Sequence, residues 1–190
     1  MEKDQPKKKI YFRRNGGYSL VEMLVYVGIF ASIIVLIFNV IVFINKINTK
    51  IIALSQIAAN SQGAMDRMIY EIQNSEHIYL PTSNLYNYSY DVAKNDQLSL
   101  VTAIGVPANE ELAYLDFYVE NNTLFLKKDG SAPIALTSAN VSVTGLNFYY
   151  YKNDYRESIG IDLSMRSSNG AIPDTNTNLV TTVALRSAND

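Results

Sequence analysis

The stretch Gly16-Gly17-Tyr18-Ser19-Leu20-Val21-Glu22-Met23-Leu24-Val25 joins two parts of the chain with opposite physical character. Upstream, residues 1–17 carry six basic groups (Lys3, Lys7, Lys8, Lys9, Arg13 and Arg14) against two acidic ones, Glu2 and Asp4. Downstream, Met23 to Ile44 is a run of 22 residues without a charge, in which only Ser32 and Asn39 are clearly polar. As a helix rising about 1.5 Å per residue, this run is roughly 33 Å long, which matches the hydrocarbon core of a bilayer. A basic flank ahead of such a span stays in the cytoplasm, so the C-terminal bulk is expected outside it.

The junction differs from a secretory signal. There the small residues at the cleavage site follow the apolar stretch, whereas here Gly16-Gly17 precedes it. Glu22 also sits at the mouth of the span, where an ionised side chain is costly and usually functional. Left without a cation, such a carboxylate snorkels to the headgroups or tends to neutralise.

A basic leader, Gly17, an apolar segment and Glu22 as the fifth residue after that glycine together resemble the class III signal of type IV pilins and pseudopilins. The resemblance implies cleavage between Gly17 and Tyr18 by a prepilin peptidase. It also implies N-methylation of Tyr18, where the family more often has phenylalanine or methionine. Glu22 would then pair with the new amine of a neighbouring subunit and set the stagger of helices in a filament. Two shorter stretches, Gly63–Ser75 and Val180–Ser187, resemble parts of J-type minor pseudopilins and W-type minor pilins.

Beyond Ile44 the pattern becomes amphipathic. Ile47, Ile51, Leu54, Ala58, Met65, Met68 and Ile72 recur in steps of three and four, with Ser61 filling one register. Polar Asn48, Lys50, Gln56, Asn60, Asp66 and Glu71 interleave with them. The heptads lack the flanking charge pairs of a coiled coil, so the stripe is expected to pack on a sheet. One helix is expected from about Tyr18 to Tyr79, ended by Pro81.

The remainder is β-like. Leu98–Ile104, Ala113–Glu120, Thr123–Lys128, Val141–Lys152, Ile159–Met165 and Leu179–Arg186 read as strands. Asn121-Asn122 and Asp129-Gly130 are turn signals, and Gly145 marks a slip in the alternation. Val141, Val143, Leu146, Phe148 and Tyr150 are the inward positions of their strand. The fold class is therefore α+β, a long N-terminal helix on an antiparallel head. Its expected divisions are a leader (1–17), a transmembrane and assembly helix (18–44), an amphipathic helix (45–80) and a β-rich head (81–190).

Catalytic and metal chemistries find little material. The chain has no cysteine and one histidine, His77, so there is no thiolate site and no histidine pair. No phosphate loop of Walker or Rossmann spacing occurs. Asp91 with Asp96, and Asp154 with Glu157, could offer oxygens to calcium, but neither has the dense acids of a binding loop. Tyr86, Tyr88 and Tyr90 alternate in a loop and could form a contact surface. After the leader, 10 basic residues face 16 acidic ones, a net of −6, which argues against binding nucleic acid through its phosphates.

These features favour an assembly protein over an enzyme, with no cofactor. The resemblance implies a minor pilin or pseudopilin that initiates or caps a pilus-like or type II secretion filament. Its partners would be the prepilin peptidase, other pilin or pseudopilin subunits, an inner-membrane assembly platform and membrane lipid. It would sit as a single-pass protein of the inner membrane before entering the filament, at the tip. A filament-tip binding module (an adhesin, cargo or DNA-uptake receptor) is the alternative.

Overall fold

A computed structural model of the chain describes residues 16–86, 96–106, 110–153, 156–168 and 176–186. One helix, α1 (Leu20–Gln73), precedes strands β1 (His77–Ile78), β2 (Gln97–Thr102), β3 (Ala113–Glu120), β4 (Thr123–Lys128), β5 (Ile134–Ala135), β6 (Val141–Lys152), β7 (Glu157–Ser167) and β8 (Asn176–Ala184). The strands form two antiparallel sheets, ordered β1-β2-β3-β4-β5 and β6-β7-β8. The α+β expectation holds. The chain divides into two compact units, one ending at Lys46 and the other running from Ile47.

In the first unit, the helix is long and apolar enough to cross a membrane, and none of its most apolar stretch is buried within the chain. Ser32 Oγ donates to the Gly28 carbonyl at 2.8 Å, and Asn39 Nδ2 to that of Val35 at 2.9 Å. Each of the two polar groups of the span thus has a partner on its own helix, which lowers their cost in lipid.

In the second unit, the helix packs one stripe against both sheets. Its buried residues are Ala53, Ile57, Ser61, Ala64, Met65, Met68, Glu71 and Ile72. They join Leu98, Leu100, Leu115, Phe117, Leu124 and Leu126 of the first sheet with Val143, Leu146, Phe148, Ile159, Ile161, Leu163 and Met165 of the second. This corrects the sequence-based stripe in its upper half, because Ile47, Ile51, Leu54 and Ala58 are exposed while Ala53 and Ile57 are buried. A repeat of 3.5 carried back from Ile72 drifts off the face of a helix with 3.6 residues per turn. The error grows toward the N-terminal end.

The helix also ends earlier than Tyr79. Asn74 Nδ2 bonds the Tyr70 carbonyl at 2.7 Å, and Ser75 Oγ bonds that of Ile72 at 2.7 Å. Such side chains compete with the backbone ladder and satisfy the last carbonyls. His77-Ile78 then pairs with Leu100 and Val101 as β1, so Pro81 lies beyond a strand and does not terminate the helix. The segment after it is tied in, since Ser83 Oγ accepts the Ser99 amide and Tyr86 bridges β6 at Tyr149.

The strand signals hold with modest shifts. Asn121 and Asn122 both lie at positive φ (49° and 60°), the paired left-handed conformation of a two-residue hairpin turn. Gly130 (φ 69°) closes the next turn, and the register of β6 on β7 slips between Val143 and Gly145. Val141, Val143, Leu146 and Phe148 are buried and Tyr150 packs partly against the core, as the alternation predicts. β2 ends at Thr102 rather than Ile104, because Thr102 Oγ1 takes the Ile104 amide and Gly105 turns at φ 69°. β7 is longer than expected, and β8 starts and ends earlier.

Candidate functional site

Residues Gly16 to Ser19 precede the helix, and the Ser19 carbonyl accepts the Met23 amide at 3.1 Å as its first bond. Ser19-Leu20-Val21-Glu22 is therefore a serine N-cap followed three residues later by glutamate, a pattern that favours helix initiation. Glu22 lies in the first turn, where the helix dipole favours a negative charge. Its Oε1 accepts the Tyr26 hydroxyl at 3.3 Å, one turn along. Sequence reasoning missed this partner, although the i,i+4 spacing of Glu22 and Tyr26 announces it.

Tyr18 is 73 % exposed. A side-chain carbon built on Gly16 or Gly17 meets nothing within 4 Å, and neither glycine has positive φ. Among the described residues, nothing requires glycine at position 17. Gly17, Tyr18 and Glu22 are thus all exposed at the helix entrance. Residues 1–15 of the expected leader lie outside the described residues.

The other sequence candidates scatter. His77 is exposed on β1, opposite Val101. No cluster of three or more histidine, cysteine, aspartate or glutamate side chains able to hold a metal occurs among the described residues. Asp91 and Asp154 lie outside them. Glu157 is engaged, accepting the Tyr150 hydroxyl and the Lys152 ammonium at 2.9 Å each. Of the alternating loop tyrosines, Tyr86 stacks on Tyr149 with ring centres 5.0 Å apart, while Tyr88 and Tyr90 fall outside the described residues.

Two phenols are perturbed. Burial, then the carboxylates of Glu120 and Asp116, raise the pKa of Tyr118. Burial, then Asp162 and the phenols of Tyr86 and Tyr151, raise that of Tyr149. Both effects disfavour the phenolate and neither prepares a nucleophile.

The most unusual charged group is Glu71, assigned by its sequence pattern to the polar face but only 2 % exposed. Arg67 Nη2 lies 2.5 Å from its Oε1, and Lys128 Nζ at the end of β4 lies 3.4 Å from its Oε2. This trio ties the helix to the sheet. It is neither open to a substrate nor joined by a nucleophile, so we read it as structural.

The chain matches no family model, no curated protein sequence and no solved structure.

Proposed function

We propose that the chain is a minor pilin or pseudopilin, held first in the inner membrane by its apolar helix and then transferred into a filament. The observation that carries this reading is the helix entrance. An unpacked Gly17–Tyr18 bond leads within five residues to Glu22, in the first turn of an exposed apolar helix. In the proposal a prepilin peptidase cuts that bond, and the amine of Tyr18, N-methylated in this family, meets Glu22 of a neighbouring subunit. Exposed apolar side chains also persist beyond the charge-free run, at Ile47, Ile51, Ile52 and Leu54. They extend the surface available to neighbouring helices past the membrane. The head would stay outside the cytoplasm and take its place at the filament tip with related minor subunits, above an inner-membrane assembly platform.

The test uses the lack of any internal demand for glycine. Gly17→Leu leaves the fold untouched but enlarges the residue entering a peptidase cleft. Co-expressed with a prepilin peptidase, the parent chain is expected to lose its 17 N-terminal residues by intact mass. The variant is expected to keep them and to melt normally. Normal cleavage of Gly17→Leu, or no cleavage of the parent, removes the basis of the reading.

A further inference from the structure

The order β6-β7-β8 leaves one long side of β8 at the margin of its sheet. β8 pairs with β7 in unbroken register from Arg166↔Asn176 to Ser158↔Ala184. The Leu185 amide bonds the Glu157 carbonyl at 3.0 Å, which fixes the phase of the antiparallel ladder. Odd-numbered residues of β8 turn their main-chain groups toward β7, and Asn178, Val180, Thr182 and Ala184 turn theirs outward. Those outward groups have no backbone partner among the described residues.

Natural edge strands are usually protected by a charge, a proline, a bulge or extreme shortness. β8 has none of these. Its nine residues, Asn-Thr-Asn-Leu-Val-Thr-Thr-Val-Ala, are uncharged and rich in β-branched side chains, and Val180 is 70 % exposed on the outer face. Left bare, such an edge invites aggregation.

The C-terminal half of this edge opens on a cleft of about 500 Å³. Ile69 and Gln73 of α1 form one wall and Thr181–Ala184 the other, with Arg156 and Arg186 at the end. Both arginines are exposed, and neither forms an ion pair among the described residues. Among the described residues, no carboxylate lines the cleft.

We propose that β8 is the docking edge for an extended, acidic segment of a partner polypeptide. The segment adds a fourth strand through the outward groups of Val180, Thr182 and Ala184, and its carboxylates meet Arg156 and Arg186. The ladder supplies affinity, and the two guanidinium groups select for charge. A second copy of β8 would bring an uncharged strand and leave both arginines unanswered, so the charge favours a different partner. This assignment holds whether or not the chain enters a filament.

The probe is a fluorescein-labelled heptapeptide alternating valine with glutamate, titrated by anisotropy into the full chain in detergent micelles. Saturable binding is expected. It should weaken by about tenfold or more when lysine replaces glutamate and when Arg156→Glu and Arg186→Glu are combined. Thr182→Pro removes an outward amide without touching the ladder to β7 and should abolish binding. Methylating alternate backbone nitrogens of the peptide tests the same hydrogen bonds with the protein unaltered, and should also abolish it. Absence of saturable binding overturns the proposal, as does equal affinity for the lysine peptide or for the methylated one. So does a dimer that Thr182→Pro dissolves in sedimentation, which makes the occupant a second copy. Slow amide exchange at Val180, Thr182 and Ala184 in the unliganded monomer overturns it too, because the chain then covers its own edge.

Discussion

Replacing Glu71 tests whether the helix is held to the head by charge as well as by its apolar stripe. Breaking a buried ion pair by removing one partner commonly costs about 3–5 kcal/mol, because the other charge is stranded. Here the stranded cations are not fully enclosed: the Arg67 side chain is 45 % exposed and that of Lys128 24 %. Both can recover hydration, so the expected cost of Glu71→Ala falls to about 2–3 kcal/mol, part of it from the cavity left behind. Glu71→Met should cost less than 1 kcal/mol, since it fills the volume and removes the penalty of burying a carboxylate. The assay is urea unfolding of the full chain in micelles, followed by tyrosine fluorescence. Far-ultraviolet dichroism is unsuitable, because the apolar helix stays helical in detergent. The pairing is isolated by a double-mutant cycle: Lys128→Met should destabilise the parent but be about 0.5–1.5 kcal/mol milder in the Glu71→Met background. Additivity within error, or a cost below 1 kcal/mol for Glu71→Ala, would show that the apolar stripe alone holds the helix.

Three further outcomes are expected. If the chain is the filament subunit proposed above, Glu22→Gln should leave membrane insertion and leader cleavage intact but deplete it from sheared filaments or crosslinked minor-subunit complexes, at a cost of about 3–5 kcal/mol for a broken low-dielectric pair; wild-type incorporation would show that Glu22 only reaches the headgroups and Tyr26. Asn122→Val places a β-branched residue at φ 60° and should destabilise the head by about 1–2 kcal/mol in the same urea assay, whereas an unchanged midpoint would mean the turn relaxes freely. The raised pKa values of Tyr118 and Tyr149 mean that the unfolded chain sheds these protons first, near the ordinary value of 10.0. Stability is therefore full below that pH and declines as pH rises through the folded values, and Tyr149→Phe should flatten the alkaline decline seen in melting temperature.

How much of this was legible depended on whether a feature has a local cause. Asn121-Asn122 and Gly130 are short-range necessities, since few residues accept a left-handed backbone, and both turns stood in the sequence. The slip at Gly145 was visible for a similar reason, because a two-residue alternation that breaks phase has to be absorbed by a bulge. β1 and β5 are two residues each, too short for any period, and exist only because β2 and β4 offer edges to His77-Ile78 and Ile134-Ala135. The register of the helix stripe was legible where Met65, Met68 and Ile72 anchor it. It was lost toward Ile47, where a 3.5-residue repeat has drifted off the packed face and polar Asn45, Lys46, Asn48, Thr49 and Lys50 leave no single apolar side to follow.

Glu71 shows the deeper limit. A glutamate between Tyr70 and Ile72 reads as solvated, and its burial follows from Lys128, far off in the chain at the end of β4. The helix-to-head contacts nonetheless have a common logic. Near the start of the buried stripe, Asn60 Oδ1 takes the Ser138 amide at 2.8 Å; near its end, Glu71 takes Lys128. Between them lie Ser61, Ala64, Met65 and Met68, which fill space but resist sliding poorly. The directional polar contacts of Asn60 and Glu71 oppose the slippage that hydrophobic burial, being non-directional, tolerates. The carboxylate in the interior, shared between Arg67 of its own helix and Lys128 of the sheet, is costly to bury and contributes to register only through its contact with Lys128.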